Sequence, residues 1–371
     1  MKYYNFSLFF FYFIIYSVSA QFTAIPDTNF EEKLIALGID DIMDNQVLNS
    51  NIQVISNLDV SDAGIFNLTG IEGFTNLAIL NCNDNELVDL NLGSNTSLEQ
   101  LYCDNNKLIN LDVSKNTFLN YLFCSNNQLA SLYLSNNTSL EYLVFFANLL
   151  SNIDVSNNII LKYLSSEYNQ LESLDVSANI FLQDLLCNDN KISSLDISNN
   201  TSLQYLNCST NEIEYLNISN NPVMQNFYCF NNKLIGLNLK NGANEVLDNF
   251  KADNNLNLNC IQVDNVNYSA SNSNWIKDAA VFYSIDCATA SSSVEFLLKN
   301  LTILVHTNKK VEILTPLKIS YKIYNLNGQE LLKGNSAKYT TILNLNKFSK
   351  GLYILLVTHK EMEISKYILM H

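Results

Sequence analysis

The sequence has no arginine, and its three histidines all lie after residue 300, at His306, His359 and His371. Without guanidinium groups, the chain lacks the side chain that binds phosphate in a bidentate manner and is enriched at nucleic-acid interfaces. Without an imidazole earlier in the sequence, the body of the chain cannot form a Ser-His-Asp triad. Nucleic-acid binding and triad hydrolysis are therefore excluded at the outset.

Positive charge is also scarce over most of the chain. Residues 21–290 contain nine Lys and 31 acidic residues, a net charge of −22, whereas residues 291–371 contain eleven Lys and five acidic residues, a net charge of +6. A body this acidic repels polyanions such as DNA and RNA. The change of sign coincides with the small polar run 288–293 and predicts a domain boundary near residue 290.

Long apolar segments are lacking as well, apart from residues 8–16. That run follows Lys2 and precedes the small residues Val18, Ser19 and Ala20, which is typical of a secretory signal peptide; we assign it to residues 1–20. The run is too short to span a bilayer, and no later segment is long enough. We expect an exported chain with no transmembrane segment after signal removal.

The middle of the chain contains a repeat of 21 residues. Eight asparagines keep this spacing: Asn85, Asn106, Asn127, Asn148, Asn169, Asn190, Asn211 and Asn232. Six cysteines keep it too, with Phe145 and Ser166 at the two remaining positions: Cys82, Cys103, Cys124, Cys187, Cys208 and Cys229. A fixed period of this size predicts a solenoid, in which each unit buries its apolar residues against its neighbours.

One unit has the leucine-rich repeat spacing, with Leu98, Leu101, Cys103, Asn106 and Leu108 at the characteristic positions. Residues 100–104 are predicted to form a strand, which points Leu101 and Cys103 inward and their neighbours outward. The second half of the unit has a short apolar pair and a polar turn, which favours extended segments on the back. We therefore predict a mainly β solenoid over residues 56–244, with a parallel sheet on its concave face.

The segments that flank the repeats are predicted to be caps. Residues 26–37 fit an amphipathic helix that begins with a Thr28–Glu31 capping box, within an N-terminal helical cap at residues 21–55. Cys260 and Cys287 lie outside the repeat on either side of Trp275. We predict that they form a disulfide, worth about 3 kcal/mol by loop-closure entropy, within a C-terminal cap at residues 245–290.

Residues 291–371 differ in character from the repeats. Short runs such as 302–305, 319–324 and 352–357 alternate or are continuously apolar, and Asn327-Gly328 supplies a turn. This pattern predicts a small β-sandwich.

Two resemblances follow from these motifs. Residues 56–244 resemble the bacterial secreted leucine-rich repeat proteins of the internalin group, some of which contain a cysteine in the ladder. The C-terminal region is similar to the sorting domain of type IX secretion substrates, through the blocks 324–329, 350–353 and 366–368. That resemblance implies recognition by an outer-membrane translocon and localisation at the cell surface or outside the cell.

Catalysis and metal binding have little support in the sequence. The cysteines of adjacent repeats are predicted to lie near 4.8 Å apart with parallel side chains, a geometry that suits neither disulfides nor tetrahedral zinc. Asp112, Asp154, Asp175 and Asp196 recur in the second half of the unit without a calcium-binding loop, which favours a solvated face. We predict no enzyme activity, no metal and no cofactor.

The outward positions of the predicted strands are rich in aromatic side chains. The candidate ligand-binding residues on the concave face are Tyr102, Tyr121, Phe123, Tyr142, Phe146, Tyr163, Tyr205, Tyr228 and Phe230. Asp104, Glu167 and Asp184 add a sparse acidic rim. Two interpretations are compatible: the rings stack on one another and stiffen the sheet, or they form a platform for a ligand.

The prediction is a secreted or cell-surface protein that binds a protein or carbohydrate, or mediates adhesion, through its concave sheet. A rigid preformed surface favours binding because little is lost on ordering. The alternative is a structural surface or matrix component without a specific ligand.

Overall fold

The computed structural model describes residues 21–287, 302–305, 309–314, 319–336, 340–359 and 362–370. The predicted signal peptide and the polar run 288–293 lie outside the described residues.

The main sheet has eleven parallel strands, one from each turn of the solenoid. In spatial order they are β3 (Asn57–Asp59), β4 (Ile79–Asn81), β5 (Gln100–Tyr102), β6 (Tyr121–Phe123), β7 (Tyr142–Val144), β8 (Tyr163–Ser165), β9 (Asp184–Leu186), β10 (Tyr205–Asn207), β12 (Asn226–Tyr228), β14 (Asn249–Lys251) and β16 (Trp275–Ile276). The predicted mainly β solenoid with a parallel sheet is confirmed. The strands are three residues or shorter, because the chain turns away sooner than the 100–104 prediction assumed.

Each three-residue strand of the main sheet buries its middle residue, and most of these strands leave both flanking residues partly exposed; in β7 and β8 the last residue, Val144 or Ser165, is buried as well. Leu122, for example, is fully buried, whereas Tyr121 and Phe123 are half-buried. The strands pair in register, so that Tyr121 lies beside Tyr142 and Tyr142 beside Tyr163. Side chains one repeat apart are therefore spatial neighbours, roughly 4.8 Å apart along the sheet.

The cysteine ladder forms part of the solenoid core. All six repeat cysteines are buried and unbridged. Burial raises the pKa of Cys103 well above its usual range, so the thiol is neutral and packs as a small apolar group. Ser166 takes one position in this ladder, and its hydroxyl donates to the Leu186 carbonyl at 3.1 Å.

A first asparagine ladder, made of the eight repeat asparagines from Asn85 to Asn232, closes the turn after each strand. The Asn127 amide donates to the carbonyls of Cys103, Cys124 and Ser125 at 3.0, 3.1 and 3.0 Å. Its oxygen accepts from the Leu108 N–H at 2.9 Å. One buried side chain thus satisfies four backbone groups that the turn would otherwise leave unpaired.

A second asparagine ladder closes the turn that precedes each strand: Asn95, Asn116, Asn137, Asn158, Asn179, Asn200 and Asn221. The Asn137 amide donates to the carbonyls of Val113 and Asn116 at 3.0 and 2.9 Å. Asn95, Asn137 and Asn200 match the N-glycosylation pattern but have no exposed surface. They serve the fold as hydrogen-bond donors.

The back of the solenoid consists of short extended segments, as predicted. Only its last turns pair into a second parallel sheet, made of β11 (Tyr215–Asn217), β13 (Gly236–Asn238), β15 (Cys260–Gln262) and β17 (Phe282–Ser284).

The N-terminal cap contains β1 (Phe22–Ala24), α1 (Thr28–Ala36), β2 (Gln46–Leu48) and α2 (Asn49–Ile52). The predicted capping box is wrong: Asp27, not Thr28, accepts from the Phe30 N–H, at 3.0 Å. Glu31 is buried and instead accepts from the Asp44 N–H at 2.8 Å.

The C-terminal cap continues the main sheet through β14 and β16 and adds α3 (Val266–Ser271). A disulfide joins Cys260 and Cys287. The Trp275 indole donates to the Leu247 carbonyl at 2.9 Å, which satisfies its N–H within the core.

The C-terminal region forms two antiparallel sheets. The first contains β18 (Thr302–Val305), β19 (Lys310–Leu314) and β22 (Thr340–Asn344). The second contains β20 (Ser320–Tyr324), β21 (Glu330–Asn335), β23 (Gly351–His359) and β24 (Met362–Met370). Both sheets contribute to a separate apolar cluster that includes Val311, Ile323 and Leu355.

Candidate ligand-binding face

The solvent-facing side of the main sheet, here called the sheet face, contains all nine aromatic residues predicted to bind a ligand. Each is half-buried, so that one part of the ring packs on the sheet and the rest is open to solvent. The alternation of inward and outward residues along each strand, continued one step past the strand end for Phe146 and Phe230, places them there.

The tyrosines of neighbouring strands stack on one another. The rings of Tyr121 and Tyr142 are 4.7 Å apart and nearly parallel, at 4°, and those of Tyr142 and Tyr163 are 6.1 Å apart at 21°. Tyr102 and Phe123 form a second pair at 5.1 Å. These contacts hold the rings in one orientation while their edges and outer surfaces remain accessible.

The rest of the aromatic set is more dispersed. Tyr205 and Tyr228 pack at 5.7 Å with tilted rings. Phe146 and Phe230 lie beyond the ends of their strands, and within the described part of the chain neither has an aromatic partner.

Three carboxylates lie among these rings, and burial raises the pKa of each. Asp104 accepts from the Ser125 N–H at 2.6 Å, and Glu167 accepts from the Ser165 hydroxyl. For Asp184 burial is the sole cause of the raised pKa. These charges are thus partly removed from water without full compensation.

Asp184 interrupts a row of tyrosines. It pairs in register with Tyr163 on one side and Tyr205 on the other. Burial raises the pKa of both tyrosines, and the charges of Glu167 and Asp184 raise it further. The four groups therefore share one electrostatic environment.

The aspartates on the back have the opposite character. The oxygens of Asp112, Asp154 and Asp175 each accept from the N–H of the serine two residues later, at 2.9 Å. Hydrogen bonds from the side chain of that serine, and then from its backbone N–H, lower the pKa of each carboxyl, because they favour its charged form. The back aspartates stabilise turns, in keeping with a solvated face.

Metal ligation is not evident in the described part of the chain. There, no three or more His, Cys, Asp or Glu side chains come together in a group that could hold a metal ion. His306 and His371 lie outside the described residues.

Two features, one beside the tyrosine row and one in the turn after β8, were missed in the sequence. Lys162 forms an ion pair with Glu141 at 2.6 Å beside the tyrosine row. Tyr168 is 60% exposed, at a position where the backbone φ is 51° and other repeats have mostly Asn or Asp. The 21-residue spacing contained both signals: Lys162 and Glu141 lie one repeat apart, and Tyr168 stands where the repeats mostly have Asn or Asp.

Comparison with known proteins identifies the C-terminal region. Residues 303–371 match the family described as the secretion system C-terminal sorting domain. This domain indicates export to the cell surface or the extracellular space. Within the described residues, no helix is both long and apolar enough to cross a membrane.

The solenoid is similar to solved structures of internalins. The functional domain of InlJ from Listeria monocytogenes, which includes a cysteine ladder, is 21% identical with a TM-score of 0.55, over 96% of this chain and all of that one. An internalin InlF from the same species is 20% identical with a TM-score of 0.43, over 73% of this chain and 94% of that one. At 21% identity, the likeness to the InlJ domain establishes the fold alone. None of the curated proteins matches the chain.

The chain thus joins a leucine-rich repeat solenoid, similar in fold to the cysteine-ladder domain of InlJ, to a C-terminal sorting domain that directs its secretion.

Proposed function

We propose that this secreted protein binds a protein or carbohydrate ligand, and mediates adhesion, through its sheet face. The observation that supports this most directly is the stacked row of Tyr121, Tyr142 and Tyr163, whose rings are ordered yet half-exposed. Aromatic side chains that are already fixed lose little conformational entropy on binding and bury a large area.

The proposed mechanism is ligand recognition without catalysis. Two asparagine ladders and a continuous core hold the repeats together, which favours a rigid body. We propose that it has no catalytic activity and that its C-terminal domain is recognised by the type IX secretion translocon. Neither role requires the sheet face to move.

A structural role is the second candidate, since the rings also stack on one another. In that case the tyrosine row would stiffen the sheet of a surface or matrix component, without a specific ligand. The two functions differ in whether removal of the rings changes binding or only stability.

The test replaces Tyr121, Tyr142 and Tyr163 together with Ala and probes glycan and extracellular-protein arrays with the purified chain. Tyr133→Ala is the matched control, because Tyr133 is 77% exposed on the back. We expect the triple variant to lose the array ligands of the wild-type chain while Tyr133→Ala retains them. Unchanged binding by a folded triple variant, verified by circular dichroism, would contradict the proposal.

A further inference from the structure

The tyrosine row contains a notch at Asp184. Position by position, the row consists of Tyr121, Tyr142, Tyr163, Asp184 and Tyr205 on five successive strands. Tyr163 and Tyr205 are two strands apart, roughly 10 Å along the sheet. Because Asp is much shorter than Tyr, the space between the two rings has a carboxylate at its base.

Each of the two rings that border this notch packs on an aromatic ring of the next strand away from Asp184. Tyr163 stacks on Tyr142 at 6.1 Å, and Tyr205 packs on Tyr228 at 5.7 Å. Among the described residues, neither ring has an aromatic neighbour on the side that faces Asp184. Both rings, whose faces are electron-rich, therefore border the same small space above Asp184.

The notch is negatively charged and has no basic partner of its own. Glu167 contributes a second carboxylate, held in place by the Ser165 hydroxyl, and its charge acts on both Tyr163 and Tyr205. The nearby Lys162 is paired with Glu141 instead. No ion pair to Glu167 or Asp184 occurs within the described ranges.

We propose that Tyr163, Asp184, Tyr205 and Glu167, together called the cation site, bind the ammonium or guanidinium group of a lysine or arginine side chain in a polypeptide ligand. This inference rests on the proposed function and specifies its ligand class. Because the two rings are roughly 10 Å apart along the sheet, a cation midway between them would lie within about 6 Å of both, the distance at which cation–π attraction operates. It also neutralises two carboxylates that are partly removed from water.

The alternatives fit less well. A hard metal ion such as calcium requires six to eight oxygen ligands, whereas the cation site offers two carboxylates. A neutral sugar would stack on the rings but would leave both charges uncompensated.

The test uses four synthetic peptides of one neutral Gly/Ser sequence whose central residue is Lys, trimethyl-Lys, acetyl-Lys or Glu. Binding to the full chain is measured by thermophoresis at low ionic strength. We expect the Lys and trimethyl-Lys peptides to bind and the acetyl-Lys peptide to bind about tenfold more weakly, a loss of about 1.4 kcal/mol. The Glu peptide should not bind.

Variants then assign the effect to the site. Asp184→Asn keeps the shape of the side chain and should weaken the Lys peptide about tenfold. Tyr205→Phe keeps the ring and should bind as the wild-type chain does, whereas Tyr205→Leu should not. Asp175→Asn, the same change on the back, is the matched control and should leave binding unchanged.

Several results would overturn the cation site: equal binding of the Lys and acetyl-Lys peptides, no binding of any peptide, an unaffected Asp184→Asn variant, or displacement of the peptide by calcium ions. If the tyrosine triple variant still loses its array ligands, any of these results removes the cation site and leaves the proposed function standing. If the triple variant keeps its array ligands, the proposed function itself is wrong.

Discussion

Both faces of this solenoid contain carboxylates, but they use them in opposite ways. On the back, Asp112 and Asp175 accept hydrogen bonds from neighbouring serines, and their pKa values are lowered. On the sheet face, Asp104 and Asp184 are partly buried among tyrosines, and their pKa values are raised. The back uses charge to stabilise the fold, whereas the sheet face holds charge at a cost to the fold, as functional surfaces often do.

The largest loss of stability is expected from substitutions in the interior, which lies between the two faces. Asn127→Ala removes four hydrogen bonds to buried backbone groups and should lower the free energy of unfolding by about 3–4 kcal/mol. Asn137→Ala removes two and should cost about 2 kcal/mol. Urea unfolding followed by circular dichroism measures both, and a larger loss for Asn137→Ala would contradict the ranking of the two ladders.

A smaller effect is expected from the cysteine ladder. Cys124→Ser introduces a buried hydroxyl among apolar neighbours and should cost about 1–2 kcal/mol. Ser166→Cys makes the opposite change and should cost less or stabilise, because the natural hydroxyl depends on one hydrogen bond to Leu186. The same unfolding assay applies. A destabilised Ser166→Cys variant beside an unaffected Cys124→Ser variant would show that the ladder does not favour thiols.

The smallest changes in the free energy of unfolding are expected from the carboxylates, and the sign of the change should differ between the two faces. Because the pKa of Asp184 is raised in the folded state, its ionisation opposes folding at neutral pH, and this penalty disappears as pH falls through the folded pKa. Asp184→Asn should therefore raise the free energy of unfolding at neutral pH but not in acid. The change should stay below about 1 kcal/mol, since solvent screens the group.

For Asp175, on the back of the solenoid, we expect the opposite change in stability. Because the pKa of Asp175 is lowered, its charge stabilises the fold above the unfolded pKa, and that contribution is lost as pH falls through the folded pKa. Asp175→Asn should therefore lower the free energy of unfolding at neutral pH, again by less than about 1 kcal/mol. Thermal unfolding across pH measures both variants, and shifts of equal sign would show that the two faces do not differ.

Much of the fold could be predicted from the sequence, because a constant spacing fixes which residues become neighbours. The 21-residue period placed Tyr121 beside Tyr142 and put the cysteines in the core. Where the repeat spacing becomes longer, the predicted solenoid (residues 56–244) ended before the sheet does. The intervals that precede Asn249 and Trp275 are longer, so strands β14 and β16 and the added ladder residue Asn255 were not recognised.

The details of the caps and of the charges could not be obtained in the same way. Asp27 and Thr28 are adjacent and both suit a helix N-cap, so only the backbone geometry selects Asp27. The sequence also placed Asp184 on the outer surface of the sheet. It could not give the burial of its carboxylate or the packing of the rings on either side of it, since both depend on side-chain conformation.

Hydroxyl-radical footprinting of the chain with a ligand captured on the arrays tests the central claim most directly, because tyrosine is readily oxidised on both faces. Tyr121, Tyr142 and Tyr163 should be protected by the bound ligand, while Tyr133 on the back should react as it does in the free chain. Protection of Tyr133 with continued oxidation of the tyrosine row would place the ligand on the back and contradict the assignment of the two faces.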